Sequence, residues 1–499
     1  MRWTTGSGRP AHLAFAFLVA TLTPNPAFGQ APPNSAAPHP PVITHHVGTF
    51  NGKQVSYTAT VEGIDVPNLQ GKLAARVVSF AYVADNMDDP STRPVLFAFN
   101  GGPITASIWL HLGILGPKRV AVPDDLAADP ATYQLVDNAY SPLDATDLVL
   151  VDPASTGYSR VLPGTAPQSY YSVVADGQQI TAFIAAWLAR HDRLSSPVYL
   201  LGESYGTMRA AEVAGQLAEL PHPILADGVI LLGQALNIIE FSQRPQNILS
   251  YVVSLPTIAA LAWYHRKVDR QGKTVEQFAD DAWRFAETEY LTALFQGSAI
   301  DPAERDRVAG RLEQLTGIPA AYYSDHDLRI TKEQYRGELF KDRGLLLGRS
   351  DGRYLAPITS KGLAEDPSSI IDAPFKRLFD QYLRDELKVD WQEEYIPIAP
   401  VGGLDHWQWG ATTPFSDWPY SNLLLKVMNA NPRFHVLVAN GYYDTQTTVG
   451  AAEYLVRDAG WPARRATLAF YEGGHAAYTA EPAGKQFTQD VRHFISRSP

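Results

Sequence analysis

Short runs that are apolar at every position decide what this chain can fold into. Val95-Leu96-Phe97-Ala98-Phe99, Leu148-Val149-Leu150-Val151, Val198-Tyr199-Leu200-Leu201, Val229-Ile230-Leu231-Leu232 and Val436-Leu437-Val438-Ala439 leave no polar face for water. A strand wetted on one side alternates, whereas a strand covered on both sides does not. These runs therefore predict a mostly parallel sheet buried between helices. Helical spacing of Ile180, Phe183, Ile184, Trp187 and Leu188 within Val173 to His191, and a second helix from Met208 to Leu217, supply crossovers. Upstream, Thr49 to Asp85 alternates polar and apolar residues around the turn signals Asn51-Gly52 and Gly63, as antiparallel edge strands do.

The strand–helix rhythm stops near Phe241 and resumes after His406. Between them helical patterns dominate, for example Val275 to Phe295 and Ala303 to Leu315 behind the helix-starting pair Asp301-Pro302. The expected organisation is a core in two parts, 47–240 and 407–499, split by a helical cap insertion at 241–406. Later core elements are a helix near Asn422 to Met428, a strand at Ala466 to Phe470 and a last helix near Gly484 to Ile495.

The N-terminus has its own character. Arg2 and Arg9 precede an apolar run from Ala11 to Leu22, and Ala27-Phe28-Gly29 offers small residues for cleavage, so residues 1–29 read as a secretory signal peptide. The run is too short to span a bilayer, which argues against stable membrane insertion. A proline-rich leader at 30–46 follows, and the expected location is periplasmic or extracellular.

Composition removes several classes of function. None of the 499 residues is cysteine, which excludes disulfides, iron–sulfur clusters, thiolate zinc sites and a cysteine nucleophile. A net charge of −11 argues against nucleic acid and anionic membrane surfaces as partners. No HExxH or comparable cluster suggests a metal, and no cofactor is expected. Nothing in the sequence sets an oligomeric state.

The chemistry centres on Gly202-Glu203-Ser204-Tyr205-Gly206, which joins an apolar strand to a helix. Flanking glycines relieve crowding in a sharp turn, so Ser204 can sit strained and exposed before a helix N-terminus. Gly348-Arg349-Ser350-Asp351-Gly352 matches the same pattern, but Pro357 forbids a continuing helix there, and it reads as a loop of the insert. A serine needs a base, and the base an orienting acid. In the α/β-hydrolase order of serine, acid and histidine, Asp444 and His475 stand on loops after late strands. His493 falls within the last helix, His435 begins a strand, His45-His46 precede the core, and Asp405-His406 follows no strand; these read as structural or surface groups. For an oxyanion hole, Asn100-Gly101-Gly102-Pro103 after the Val95 strand offers the amide of Gly102, with the amide of Tyr205 as second donor. One such donor is worth roughly 3 kcal/mol in a transition state.

Together Asn100-Gly101-Gly102-Pro103, Gly202-Glu203-Ser204-Tyr205-Gly206, Asp152-Pro153 with Thr156-Gly157-Tyr158-Ser159, Asp444 after a glycine turn, and Gly473-Gly474-His475 resemble the serine carboxypeptidases, in a bacterial secreted branch. The resemblance implies an α/β-hydrolase fold, a triad of Ser204, Asp444 and His475, an oxyanion hole at Gly102 and Tyr205, and a peptide with a free C-terminus as substrate. It further implies that Asn100, Gly101 and Glu203 bind the substrate's terminal carboxylate. Two carboxylates can share a hydrogen bond only if one is protonated, so that role predicts a preference for acidic pH. The chain departs from the family at Ile104-Thr105-Ala106-Ser107, at Ala476-Ala477-Tyr478 and in lacking disulfides. An esterase or acyltransferase with the same triad is the alternative reading, and a binding protein without turnover the more distant one.

Overall fold

The computed structural model describes residues 39–85, 89–399, 404–410, 413 and 415–496. The expected signal peptide lies outside them. Among the described residues ten strands form the main sheet, nine of them on one path: β1 (Val42–Phe50), β2 (Lys53–Pro67), β3 (Leu73–Ala84), β4 (Val95–Phe99), β5 (Asp147–Asp152), β6 (Val198–Glu203), β7 (Gly228–Leu232), β8 (His435–Gly441) and β9 (Ala466–Tyr471). Their order is β1-β2-β3-β5-β4-β6-β7-β8-β9, with the short strand Arg160–Val161 added beside β3. The first three strands and the β3–β5 pair are antiparallel, and every pair from β5–β4 onward is parallel.

Both faces of the parallel part are dry. In β6, Leu200 points into one apolar cluster while Tyr199 and Leu201 point into the other, and in β7 Val229 and Leu231 oppose Ile230 in the same way. The first cluster is roofed by α1 (Val173–Arg190) and α2 (Gly206–Ala218), where Trp187 meets Phe97 edge-on at 5.5 Å. Ser172 opens α1 by accepting a hydrogen bond from the amide of Ala175, which satisfies an otherwise unpaired donor.

The insert carries a core of its own. Helices α3 (Leu255–Tyr264), α4 (Val275–Phe285) and α5 (Pro302–Thr316) pack Leu261, Phe278, Ala282, Val308 and Leu312 together. The helix expected over Val275 to Phe295 runs on through a π-helical turn at Ala286–Tyr290, which links Val275–Phe285 to Leu291–Gln296. Asp301 caps α5 as its Asp-Pro pair implies, accepting from the amides of Ala303 and Glu304.

Two boundaries differ from the sequence reading. Strand β1 begins at Val42, inside the expected leader, because alternation from Val42 to Phe50 pairs it residue for residue with β2. The tail of the expected cap belongs to the main sheet. Helix α6 (Asp372–Asp385) buries Phe375, Leu378 and Phe379 in the second cluster, where Phe379 meets Phe80 edge-on at 5.5 Å. In the second part of the core, α7 (Tyr420–Ala430), α8 (Val449–Asp458) and α9 (Glu481–Ser496) add to the layers. Among the described residues no helix is long and apolar enough to cross a membrane.

Because Phe97 is fully buried at the sheet centre against Trp187, Phe97→Ala is expected to remove about 3–5 kcal/mol of stability. A fall in the unfolding midpoint checks this.

Candidate active site

Parallel strands end on the same rim of a sheet, and that rim gathers the residues singled out above. Asn100 follows β4, Ser204 follows β6, and Asp444 and His475 stand on the loops after β8 and β9. His435, by contrast, opens β8 at the opposite edge.

Ser204 adopts a left-handed backbone with φ of 60°, a conformation costly for a residue with a side chain. The surroundings enforce it. A Cβ on Gly202 would lie 1.9 Å from the carbonyl oxygen of Gly206, so only glycine fits there. The Ser204 amide donates to Leu232 O at 2.8 Å, and its carbonyl accepts from the amide and hydroxyl of Thr207 at 2.9 and 2.7 Å. Glu203 and Tyr205 are buried, while Ser204 between them is partly exposed.

The glycine-rich loop rests directly on this elbow. A Cβ on Gly101 would lie 2.6 Å from both Glu203 O and Tyr205 N, and Gly102 is exposed with φ of 107°. Arg209, on the first turns of α2 and fully buried, holds the two segments together. It pairs with Asp176 at 2.7 Å, donates to the carbonyls of Asn100 and Pro103, and lies between the rings of Phe99 and Tyr205. Asp176 also accepts from the Tyr205 hydroxyl at 3.0 Å. The Asp152 motif braces the next stretch, with Asp152 Oδ1 accepting from the amide and hydroxyl of Ser107 at 2.7 and 2.8 Å.

His475 Nδ1 and Asp444 Oδ2 are 2.7 Å apart. Asp444 is fully buried and also accepts from the amides of Gln446 and Thr447 at 2.7 and 3.1 Å and from the Thr447 hydroxyl. The imidazole faces Gly233, where a Cβ would lie 3.1 Å from Cε1. Gly233 directly follows Leu232, the anchor of the Ser204 amide, so histidine and serine share one strand end. Burial alone would pull the His475 pKa down. The carboxylates of Asp444, Glu203 and Asp366 outweigh that and raise it to about 9.

Glu203 is buried under the same rim. Desolvation pushes its carboxyl up to about 7, against opposing pulls from His475, Tyr478 and Asn100. The Tyr478 hydroxyl donates to Glu203 Oε2 at 2.7 Å, and Asn100 adds a side-chain hydrogen bond. The structure thus brings together Asn100, Gly101, Gly102, Glu203, Ser204, Tyr205, Asp444 and His475. Thr447 and Tyr478 are polar neighbours that sequence reasoning did not assign; each is three residues past a candidate catalytic position, a spacing that alone carries no signal. The Gly348–Gly352 match is a loop of the insert, as expected, at the tip of a hairpin formed by Leu345–Leu347 and Leu355–Pro357. Among the described residues no cluster of His, Asp or Glu is placed to hold a metal ion.

Residues 73–220 match the family model for serine carboxypeptidase. No curated protein matches the chain. Among solved structures, the prohormone-processing carboxypeptidase Kex1 of Saccharomyces cerevisiae superposes with a TM-score of 0.55 at 13% identity, covering 88% of this chain and 91% of that one. That likeness shows the α/β-hydrolase fold. A proline iminopeptidase of Mycobacterium smegmatis gives a TM-score of 0.38 at 13% identity, covering 88% of this chain and 98% of that one.

The Arg209–Asp176 pair yields a stability test. Arg209→Met leaves a buried carboxylate unpaired and is expected to cost about 3–5 kcal/mol, with part recovered in the double variant Asp176→Asn/Arg209→Met. Denaturant unfolding of both variants measures the difference.

Proposed function

We propose that the chain is a serine carboxypeptidase, the family whose model matches residues 73–220, and that Ser204, His475 and Asp444 remove the C-terminal residue of a peptide through an acyl-enzyme. The observation that carries the assignment is the buried Asp444–His475 hydrogen bond, seated beside the strand end that anchors the left-handed Ser204. Ser204 Oγ attacks the carbonyl carbon of the last peptide bond and gives its proton to His475 Nε2. The amides of Gly102 and Tyr205 hold the resulting oxyanion. Collapse breaks the C–N bond, and the leaving amine takes the proton from His475. Water, deprotonated by the same imidazole, then adds to the acyl carbon, and its proton returns to Ser204 as the ester bond breaks. Asp444 keeps the Nδ1 proton in place and stabilises the imidazolium.

Asn100, Gly101 and Glu203 receive the substrate's terminal carboxylate in this reading. Glu203 bonds to it as the neutral acid, so this binding form is lost as pH rises through about 7. Glu203 and His475 titrate as a coupled pair, because the Glu203 anion favours the imidazolium and the imidazolium favours the anion. The base must be neutral, which sets the acidic limb; once Glu203 is protonated one of the anions raising the imidazole is gone, so in the carboxylate-binding form that limb falls below about 9. The proposal also includes export through the basic and apolar residues 1–29, for which N-terminal sequencing of the exported form should read from near Gln30.

Ser204→Ala should abolish turnover, a loss on the order of 10⁶ in kcat, together with fluorophosphonate labelling. A peptide should be cut and its C-terminal amide spared; equal rates on both would instead favour an esterase-like reading. In pH profiles of kcat/KM from about pH 4 to 9, free-acid peptides should lose activity on the alkaline side. Glu203→Gln removes an anion beside His475 and so lowers the imidazole pKa. Its acidic limb should move to lower pH, and its alkaline decline should vanish.

A further inference from the structure

The insert reaches into the machinery through the hairpin tip at 348–354. Two consecutive carbonyls there hold the two loops of the acid–base pair. Arg349 O accepts from the amide and hydroxyl of Thr445, the residue after Asp444, at 3.3 and 2.7 Å. Ser350 O accepts from the amide of His475 itself at 2.6 Å. Ser350 Oγ takes a further hydrogen bond from Gln446 Nε2 at 3.1 Å, and the Gly352 amide donates to Tyr443 O at 2.9 Å. The approach is close enough that a Cβ on Gly474 would lie 2.5 Å from Ser350 O.

Those two carbonyls are only as fixed as their peptides, and one carboxylate fixes both. Asp366 Oδ1 accepts from the Ser368 hydroxyl at 2.5 Å, the Arg349 amide at 2.7 Å and the Ser368 amide at 3.0 Å. Its Oδ2 accepts from the Ser350 amide at 3.1 Å and the Ser350 hydroxyl at 2.8 Å. Although burial alone would raise its pKa, these donors hold it below the ordinary carboxylate value. The chain of contact therefore runs from Asp366, through the amides of residues 349 and 350, out of their carbonyls, and into Thr445 and His475. Asp366 touches neither Ser204 nor His475 directly.

We propose that Asp366 is a positioning residue of the proposed hydrolase: its carboxylate locks the Arg349–Ser350 backbone, which in turn sets the spacing of Asp444 and His475. The proposal rests on the triad reading above. It makes the insert part of the acid–base apparatus as well as a cover, since the orientation of the imidazole is fixed from the insert's side.

Asp366→Asn is the test, because it keeps the volume but turns an NH₂ toward an amide or hydroxyl donor. Misorientation of the base should lower kcat at least about tenfold while KM on a peptide substrate stays within about twofold, and fluorophosphonate inactivation should slow in parallel. Ser350→Ala removes only the hydroxyl links to Asp366 and Gln446. It should lower kcat about threefold or more with the same unchanged KM, and it answers the question if Asp366→Asn does not fold. The double variant should be no slower than Asp366→Asn alone, as expected of two residues on one path. Wild-type kcat in either folded variant, or a loss confined to KM, would overturn the positioning role while leaving the triad reading intact. A wild-type protein that fails to label at Ser204 would overturn both.

Discussion

Everything on the rim that carries the candidate site depends on one crowded turn. Between Gly202 and Gly206 the backbone folds back so tightly that a single added carbon would fall within bonding contact of a carbonyl. Ser204 is consequently driven into a left-handed conformation that its own side chain disfavours. Such a conformation persists only when both sides of the turn are fixed. Here the preceding strand is hydrogen-bonded into the sheet on both edges, by β4 and β7, and the following residue starts α2. Gly101 then stacks backbone on backbone against the turn, and Arg209 ties that loop down from beneath. Ser204 is the one residue from Gly202 to Gly206 that is not buried.

Around this turn the site concentrates buried charge. Glu203, His475, Asp444 and Asp366 lie close enough that each alters the proton affinity of another. Lys332 adds a cation from the insert: its Nζ donates to Gln446 O at 2.9 Å on the Asp444 loop, and burial lowers its pKa to about 8 against the pull of Asp444. Removing water strengthens every one of these interactions and makes each unpaired group expensive, so the hydrogen bonds that satisfy Asp444 are a condition of burying it at all. Thr447 matters in this sense. Its hydroxyl and amide both donate to Asp444, leaving the carboxylate fully coordinated without a second cation in contact.

Much of this was legible from residue pattern. Uninterrupted apolar runs identified the parallel strands because their period has a direct physical cause, burial on two faces. The elbow, the glycine-rich loop and the late Asp444 and His475 were readable because each occupies a strand end, and parallel strands must deliver their ends to one rim. What pattern could not supply was anything set by a meeting of distant segments. Tyr478 was visible only as a departure from a familiar sequence, and its hydrogen bond to Glu203 depends on how the loop after β9 folds under the sheet. Helix α6 has the amphipathic look of any cap helix, and only the position of Phe80 and its neighbours decides that it roofs the main sheet instead. Similarly, Val42 to His46 held no strong strand signal against a proline-rich neighbourhood; pairing with β2 makes it a strand.

The insert shows why a cap of this kind is not interchangeable. Its apolar core does not end at its own helices: Tyr442, Tyr443 and Val449, which flank the Asp444 loop, are buried in it together with Leu261, Phe278 and Leu312. The loop carrying Asp444 therefore has two hosts, β8 on one side and the insert's interior on the other. A chain without disulfides has no covalent means of fixing one part to the other, so the register between them is carried by this shared packing and by the hydrogen bonds of the 348–352 turn. Any repacking of that core that moves Tyr443 would reach the Asp444 loop directly and through the Gly352–Tyr443 hydrogen bond. The insert and the Asp444 loop are thus coupled by construction, because one hydrophobic core serves both.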